Sequence, residues 1–206
     1  MDIRELVKAT LLQPVAAAQT VMALNLSRDV LWLALLLAAV LNALLFSLGF
    51  QAQPPQGFEG LSAEETAQIT FMISYFSSPL RVAVTVALAL VMSVFAFLAG
   101  GRMLGGQGRL EGVLAVLTWW QFVGLAMSLA ILGLGFVSLA LAQLLSFLGN
   151  IWLLYALIGL LSGAHHFESL IKGIGTVALS LLLMAVGLLF LLTLIGLIMP
   201  SGVAHV

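Results

Sequence analysis

The chain contains no cysteine, so no disulfide, iron-sulfur cluster, thiolate zinc site or cysteine nucleophile can form in it. Charge is nearly as scarce, with Lys and Arg numbering 7 and Asp and Glu numbering 8 among 206 residues. A net charge of -1, with no basic stripe to follow a phosphate backbone, excludes nucleic acid as an expected partner. Proline occurs only as Pro14, Pro54, Pro55, Pro79 and Pro200, all outside the long apolar runs, so no span is expected to break as the discontinuous helices of many transporters do. At mid-span in those runs there is no carboxylate and no basic group, hence neither a proton relay nor a fixed counter-ion for a charged solute, which disfavours coupled transport. Serine-elbow, HExxH and paired mid-membrane aspartate patterns are also missing. The expectation is a protein that is not an enzyme and needs no cofactor or metal.

Apolar residues fill the space that these absences leave: 63% of the chain is hydrophobic and its mean hydropathy is +1.22, more than a water-soluble globule buries. Five runs, at about residues 30–50, 80–100, 113–135, 138–163 and 174–199, each approach the roughly 20 apolar residues a helix needs to cross a hydrocarbon core ~30 Å thick. The second is free of charge from residue 82 onward. The fold class expected is an all-α integral membrane protein, a five-helix transmembrane bundle with an amphipathic N-terminal helix and a short external helix between the first two spans. Its parts are a leader at 1–29, a single membrane domain at 30–199 interrupted by an external loop at 51–79, and an external tail at 200–206.

The start of the chain does not read as a cleaved signal peptide, because a mixed-charge amphipathic stretch and not a short apolar core follows the first residues. Ile3, Leu6, Val7 and Leu11 recur at helical spacing opposite Arg4, Glu5 and Lys8, and Pro14 suits the first turn of a second helix running to Leu26. This segment is expected either to lie on the membrane surface or, the favoured reading, to pack against its own bundle. In the loop, the run from Gln53 to Gly57 forms a turn, and Ser62 with Glu65 forms a capping box that opens a helix at about Ala63 to Phe76. That helix would lay Ile69, Met72, Ile73 and Phe76 across the outer end of the bundle, as a lid or a shielding connector.

Lys and Arg place the two ends. Arg4, Lys8 and Arg28 precede the first span, Arg102 and Arg109 lie between the second and third, and Lys172 lies between the fourth and fifth. By the positive-inside rule these segments are cytoplasmic, the N-terminus with them and the C-terminus on the periplasmic side. Arg81 is the exception, a side chain that snorkels outward from the end of its span.

Two groups of polar residues stand out as candidate sites. Asn42 and Asn150 fall roughly 18 Å along their spans, counted at ~1.5 Å per residue, and Ser93 and Ser128 fall at similar depth. They form a candidate midplane cluster, most simply glue between helices and alternatively a passage for a lipid headgroup or small solute. At the cytoplasmic face, Arg109, Glu111, His165, His166, Glu168 and Lys172 form a second cluster. His165 and Glu168 would share a helix face, but two ligands fall short of the three or four a metal site requires. Small residues at four-residue spacing, Ala96 and Gly100, Ala126 and Ala130, Gly159 and Gly163, permit close helix approach, within the bundle or in a homo-oligomer.

The glycine-rich link Gly105, Gly106, Gln107, Gly108, Arg109 and the stretch Trp152, Leu154, Tyr155, Gly159, Leu160, His166, Ser169, Lys172, together with the five spans, resemble the Yip-domain family, named for Ypt/Rab-interacting proteins. The leader from Thr10 to Arg28 looks like that of proteobacterial members, and the resemblance covers nearly the whole chain. It implies five spans with a cytoplasmic N-terminus. For eukaryotic members it would also imply binding of small GTPases and roles in vesicle formation, but the long cytosolic N-terminal region of those relatives is missing here and no proline interrupts the third span. The function expected is therefore non-enzymatic, at a bacterial inner membrane, through contacts with membrane lipids or with other membrane proteins. A lipid or small-solute permease is the alternative.

Overall fold

The computed structural model describes residues 3–52 and 62–198. Among these there are eight helices and no strand: α1 (Ile3–Leu12), α2 (Pro14–Met22), α3 (Arg28–Ala52), α4 (Ala63–Phe76), α5 (Pro79–Met103), α6 (Leu110–Gly135), α7 (Leu139–Ala164) and α8 (Leu170–Ile198). The turn expected at Gln53 to Gly57 and the tail at 200–206 lie outside the described residues. Five helices are long and apolar enough to cross a membrane, at Arg28–Gln51, Pro79–Met103, Leu110–Gly135, Leu139–Ala164 and Leu170–Phe190. Three of them begin a few residues earlier than their apolar runs, because Asp29 and Glu111 sit comfortably in a first helical turn and Leu170 to Gly173 continue the helical pattern.

Local chemistry accounts for the starts of the short helices. Pro14 opens α2, where a missing N–H costs nothing, and the preceding Gln13 leaves the helical region (φ -142°, ψ 65°) while its amide still donates to Ala9, so α1 and α2 form one kinked unit. Ser62 accepts from the Glu65 amide and Glu65 returns the bond to the Ser62 amide, the expected capping box of α4. Met72 is a correction to the expected packing face. It is exposed, whereas Ile69, Ile73 and Phe76 are half-buried, because only the last turn of α4 meets the spans. There Phe76 packs edge-on to Phe46, and Ser47 and Gln51 of α3 donate to the carbonyls of Phe76 and Ser77.

The fully buried side chains gather at the end of the bundle that carries Arg28, Arg102, Arg109 and Lys172, hereafter the basic end. Leu31 and Leu35 of α3, Val94 and Phe97 of α5, Val113 to Leu117 of α6 and Leu160 and Leu161 of α7 meet there around Ala17, Ala18 and Val21 of α2. The leader is thus a sixth packing element at this end. It fits because α7 presents glycine to it: a Cβ on Gly159 would stand 2.3 Å from Pro14 Cγ, and one on Gly163 would stand 2.5 Å from Ala18 Cβ. Gly100 does the same for α8, where Ser180 Oγ would lie 2.5 Å from an added Cβ. Ala126 and Ala130, by contrast, face outward. In α1 the buried side chains are Leu6 and Thr10, while Ile3, Val7 and Leu11 of the expected apolar stripe stay exposed, since Trp119 of α6 reaches Thr10 and turns that face inward.

Candidate functional site

Away from the basic end the spans leave a cavity of about 700 Å³ between α3, α5, α6 and α7, with the last turn of α4 across it. Its walls are largely apolar: Leu45, Phe46 and Phe50 from α3, Val82 and Val86 from α5, Met127 and Ile131 from α6, Leu153 from α7. Asn42, Ser128, Ser146 and Asn150, with Tyr75 and Thr85 at the rim, supply the polar part of the lining. Three of the four midplane residues singled out in the sequence therefore share one cavity. Ser93 does not line it, and its hydroxyl donates to Leu90 of its own helix. Neither asparagine ties two helices together. Asn42 Nδ2 donates to Ala38 O (2.9 Å) and Asn150 Nδ2 to Ser146 O (2.7 Å), both one turn back in the same helix, and the side-chain carbonyl oxygens have no hydrogen bond among the described residues. Tyr75 and Thr85, hydrogen-bonded through their hydroxyls, fasten α4 over the rim.

At the basic end the second candidate cluster divides. Helix α7 stops at Ala164, and His166 takes a left-handed backbone (φ 55°), so His165 and Glu168 do not share a helix face. His165 turns inward and is 1% exposed, and Nε2 lies 3.1 Å from the Phe97 carbonyl. A carbonyl can only accept, so Nε2 carries the proton, and buried Nδ1 has no partner among the described residues. Burial holds the His165 pKa below the ordinary histidine value of 6.5, against the Phe97 carbonyl, which raises it. Glu111 is taken by Arg28 of α3, whose Nε donates to Oε1 at 2.7 Å. Lys172 stands 5.8 Å over the ring of Phe167, which stacks on His165. Arg109, Glu111 and His166 line a smaller cavity of about 340 Å³ with the end of α2, whereas Glu168 is exposed outside it. No group of three or more metal-ligating side chains occurs among the described residues.

The family model of the Yip1 domain matches residues 8–192, from the middle of α1 to the end of the fifth span. The chain belongs to the Yip1 domain family. No curated protein and no solved structure matches it. In this Yip1 domain the glycine-rich link, together with Gly101 in the last turn of α5, encloses His165. Cβ atoms on Gly101, Gly106 and Gly108 would fall 2.2, 2.7 and 2.4 Å from imidazole atoms, and the Gln107 amide donates to the His165 carbonyl.

The polar ties between helices of the Yip1 domain come from residues that sequence reasoning passed over. Ser180 donates to Ala96 O (2.9 Å) across α8 and α5, Trp120 to Leu153 O (2.9 Å) across α6 and α7, and Trp119 to Thr10 Oγ1 (2.9 Å) from α6 to the leader. Their signal was present in outline, since an indole N–H buried in hydrocarbon must find an acceptor. The sequence does not say which one.

Proposed function

We propose that this Yip1 domain protein is non-enzymatic and acts by holding lipid, as an organiser or assembly partner in a bacterial inner membrane. By the positive-inside rule its basic end faces the cytoplasm, and the cavity then opens in the outer half of the bilayer. The observation that carries the reading is the chemistry of the 700 Å³ cavity. Apolar walls suit an acyl chain, and the free carbonyl oxygens of Asn42 and Asn150 with the Ser128 hydroxyl suit the hydroxyl or amine of a headgroup. Native mass spectrometry of protein extracted in mild detergent is expected to retain bound phospholipid. Asn42→Leu with Asn150→Leu should lower that occupancy several-fold. Protein that emerges without lipid, or a double variant that keeps it, would overturn the proposal.

A permease is the second reading, favoured by amides placed at mid-span in a cavity. Against it stands the basic end, where Leu35, Leu114, Leu160 and Leu161 are all but fully buried and the leader occupies the space between α6 and α7. A passage would need that core to part. Reconstituted vesicles distinguish the two readings, since only a permease moves labelled lipid or solute and loses this in the double variant.

A further inference from the structure

The smaller cavity, at the basic end, carries a binding chemistry of its own. It lies between the end of α2, the start of α3, the start of α6 and the residues after α7, where the first and third spans begin. Three side chains with N–H donors line it: Asn25, Arg109 and His166. All three side chains are exposed and make no hydrogen bond or ion pair among the described residues, so their donors are open to a ligand from outside. The one carboxylate in the lining, Glu111, is hydrogen-bonded to Arg28 and also feels the charge of Arg109, so two guanidinium groups face a single carboxylate and the balance is positive. Met22, Leu26 and Leu31 make the remaining wall apolar.

A donor-rich, positive rim over an apolar wall at the point where spans begin matches a headgroup that is anionic and attached to hydrocarbon. We infer that this cavity binds the phosphate group of an anionic phospholipid of the leaflet at the basic end. Arg109 supplies the charged donor, Asn25 and His166 supply further N–H donors, and the apolar wall takes the first carbons of the lipid. A free phosphate ester shares the anionic chemistry but leaves the apolar wall uncovered. The site is separate from the larger cavity and does not rest on it.

Two of the donors can be removed with little strain. Asn25 (φ 48°) and His166 (φ 55°) are the two non-glycine residues of the described chain with left-handed backbone, a conformation glycine adopts freely. Full-length protein in nanodiscs of phosphatidylcholine doped with phosphatidylglycerol, read by native mass spectrometry of the released complex, should prefer phosphatidylglycerol. Arg109→Gln should weaken that preference about tenfold, as loss of a charge-assisted hydrogen bond does. Asn25→Gly with His166→Gly should weaken it several-fold while the melting temperature in detergent stays within a few degrees of wild type. Asn42→Leu with Asn150→Leu should leave it intact, which separates this site from the outer cavity. Equal occupancy by the two lipids, or an unchanged preference in Arg109→Gln, overturns the inference. Displacement of the lipid by millimolar glycerol 3-phosphate overturns it too, by assigning the site to a free phosphate ester.

Discussion

His165 Nε2 donates to the carbonyl oxygen of Phe97 at 3.1 Å, which joins the end of the fourth span to the second across a fully buried contact. The proton on Nε2 leaves Nδ1 bare, and the glycine link is pressed too closely on the ring for a second proton to find an acceptor there. A neutral imidazole fits this enclosure and an imidazolium does not.

Acid should therefore loosen the basic end. Burial lowers the folded-state pKa of His165 beneath its unfolded value of about 6.5, so the folded protein takes up this proton less readily than the unfolded chain. The stability that the neutral ring contributes is complete above that value and is lost as the pH falls through the lowered one. Thermal unfolding in detergent between pH 8 and pH 5 should show a decline on the acid side. His165→Asn, which keeps a donor for Phe97 and does not titrate, should flatten it. An equally steep decline in the variant would remove His165 as the cause.

Gly101→Ala puts a methyl 2.2 Å from the imidazole. Alanine improves helix propensity by about 1 kcal/mol, but overpacking against a ring with no room to move costs about 1–3 kcal/mol, and the Phe97 bond is lost besides. Net destabilisation is expected. Combining it with His165→Ala should recover part of the loss, and a double-mutant cycle with no coupling would show that the ring and Gly101 do not meet as described.

Gly163→Val should displace the leader. The added carbons meet Ala18 Cβ and the backbone of Val15, neither of which can rotate away. Loss of about 1–3 kcal/mol is expected, with protease access to residues before Arg28 as its visible sign. Thr10→Val probes the same attachment more gently. It removes the acceptor of Trp119 and should cost about 1 kcal/mol with a change in indole fluorescence.

Helix α4 should open on its own. Ser62 holds the Glu65 carboxylate below its ordinary pKa of 4.5, through the Ser62 amide first and its hydroxyl second, so the capping box persists above that range and is lost as the pH falls through it. Only the last turn of α4 is fastened to α3 and α5. Ser62→Ala should thus speed amide exchange in the first two turns of α4 and leave the melting temperature of the bundle unchanged.

The Arg28 and Glu111 pair should matter little for stability, since both side chains are more than a third exposed and water screens the pair. Arg28→Gln is expected to leave the midpoint of thermal unfolding nearly unchanged. Its clearer effect is to leave Arg109 as the remaining cation acting on the Glu111 carboxylate.

Sequence by itself determined the elements: five spans from hydropathy, the start of α2 from Pro14, and the cap of α4 from Ser62 and Glu65. Each depends on residues a few positions apart, or on a length matched to the bilayer. Which faces meet was decided only in three dimensions. In water an amphipathic stripe marks the buried side of a helix, but a span is apolar all round, because lipid and protein neighbours are equally oily. Nothing local therefore announced that Gly159 and Gly163 receive the leader while Ala126 and Ala130 face outward, or that His165 turns into a glycine enclosure while adjacent His166 turns out. Those outcomes rest on close steric fit between segments far apart in the chain, and only the folded bundle brings them together.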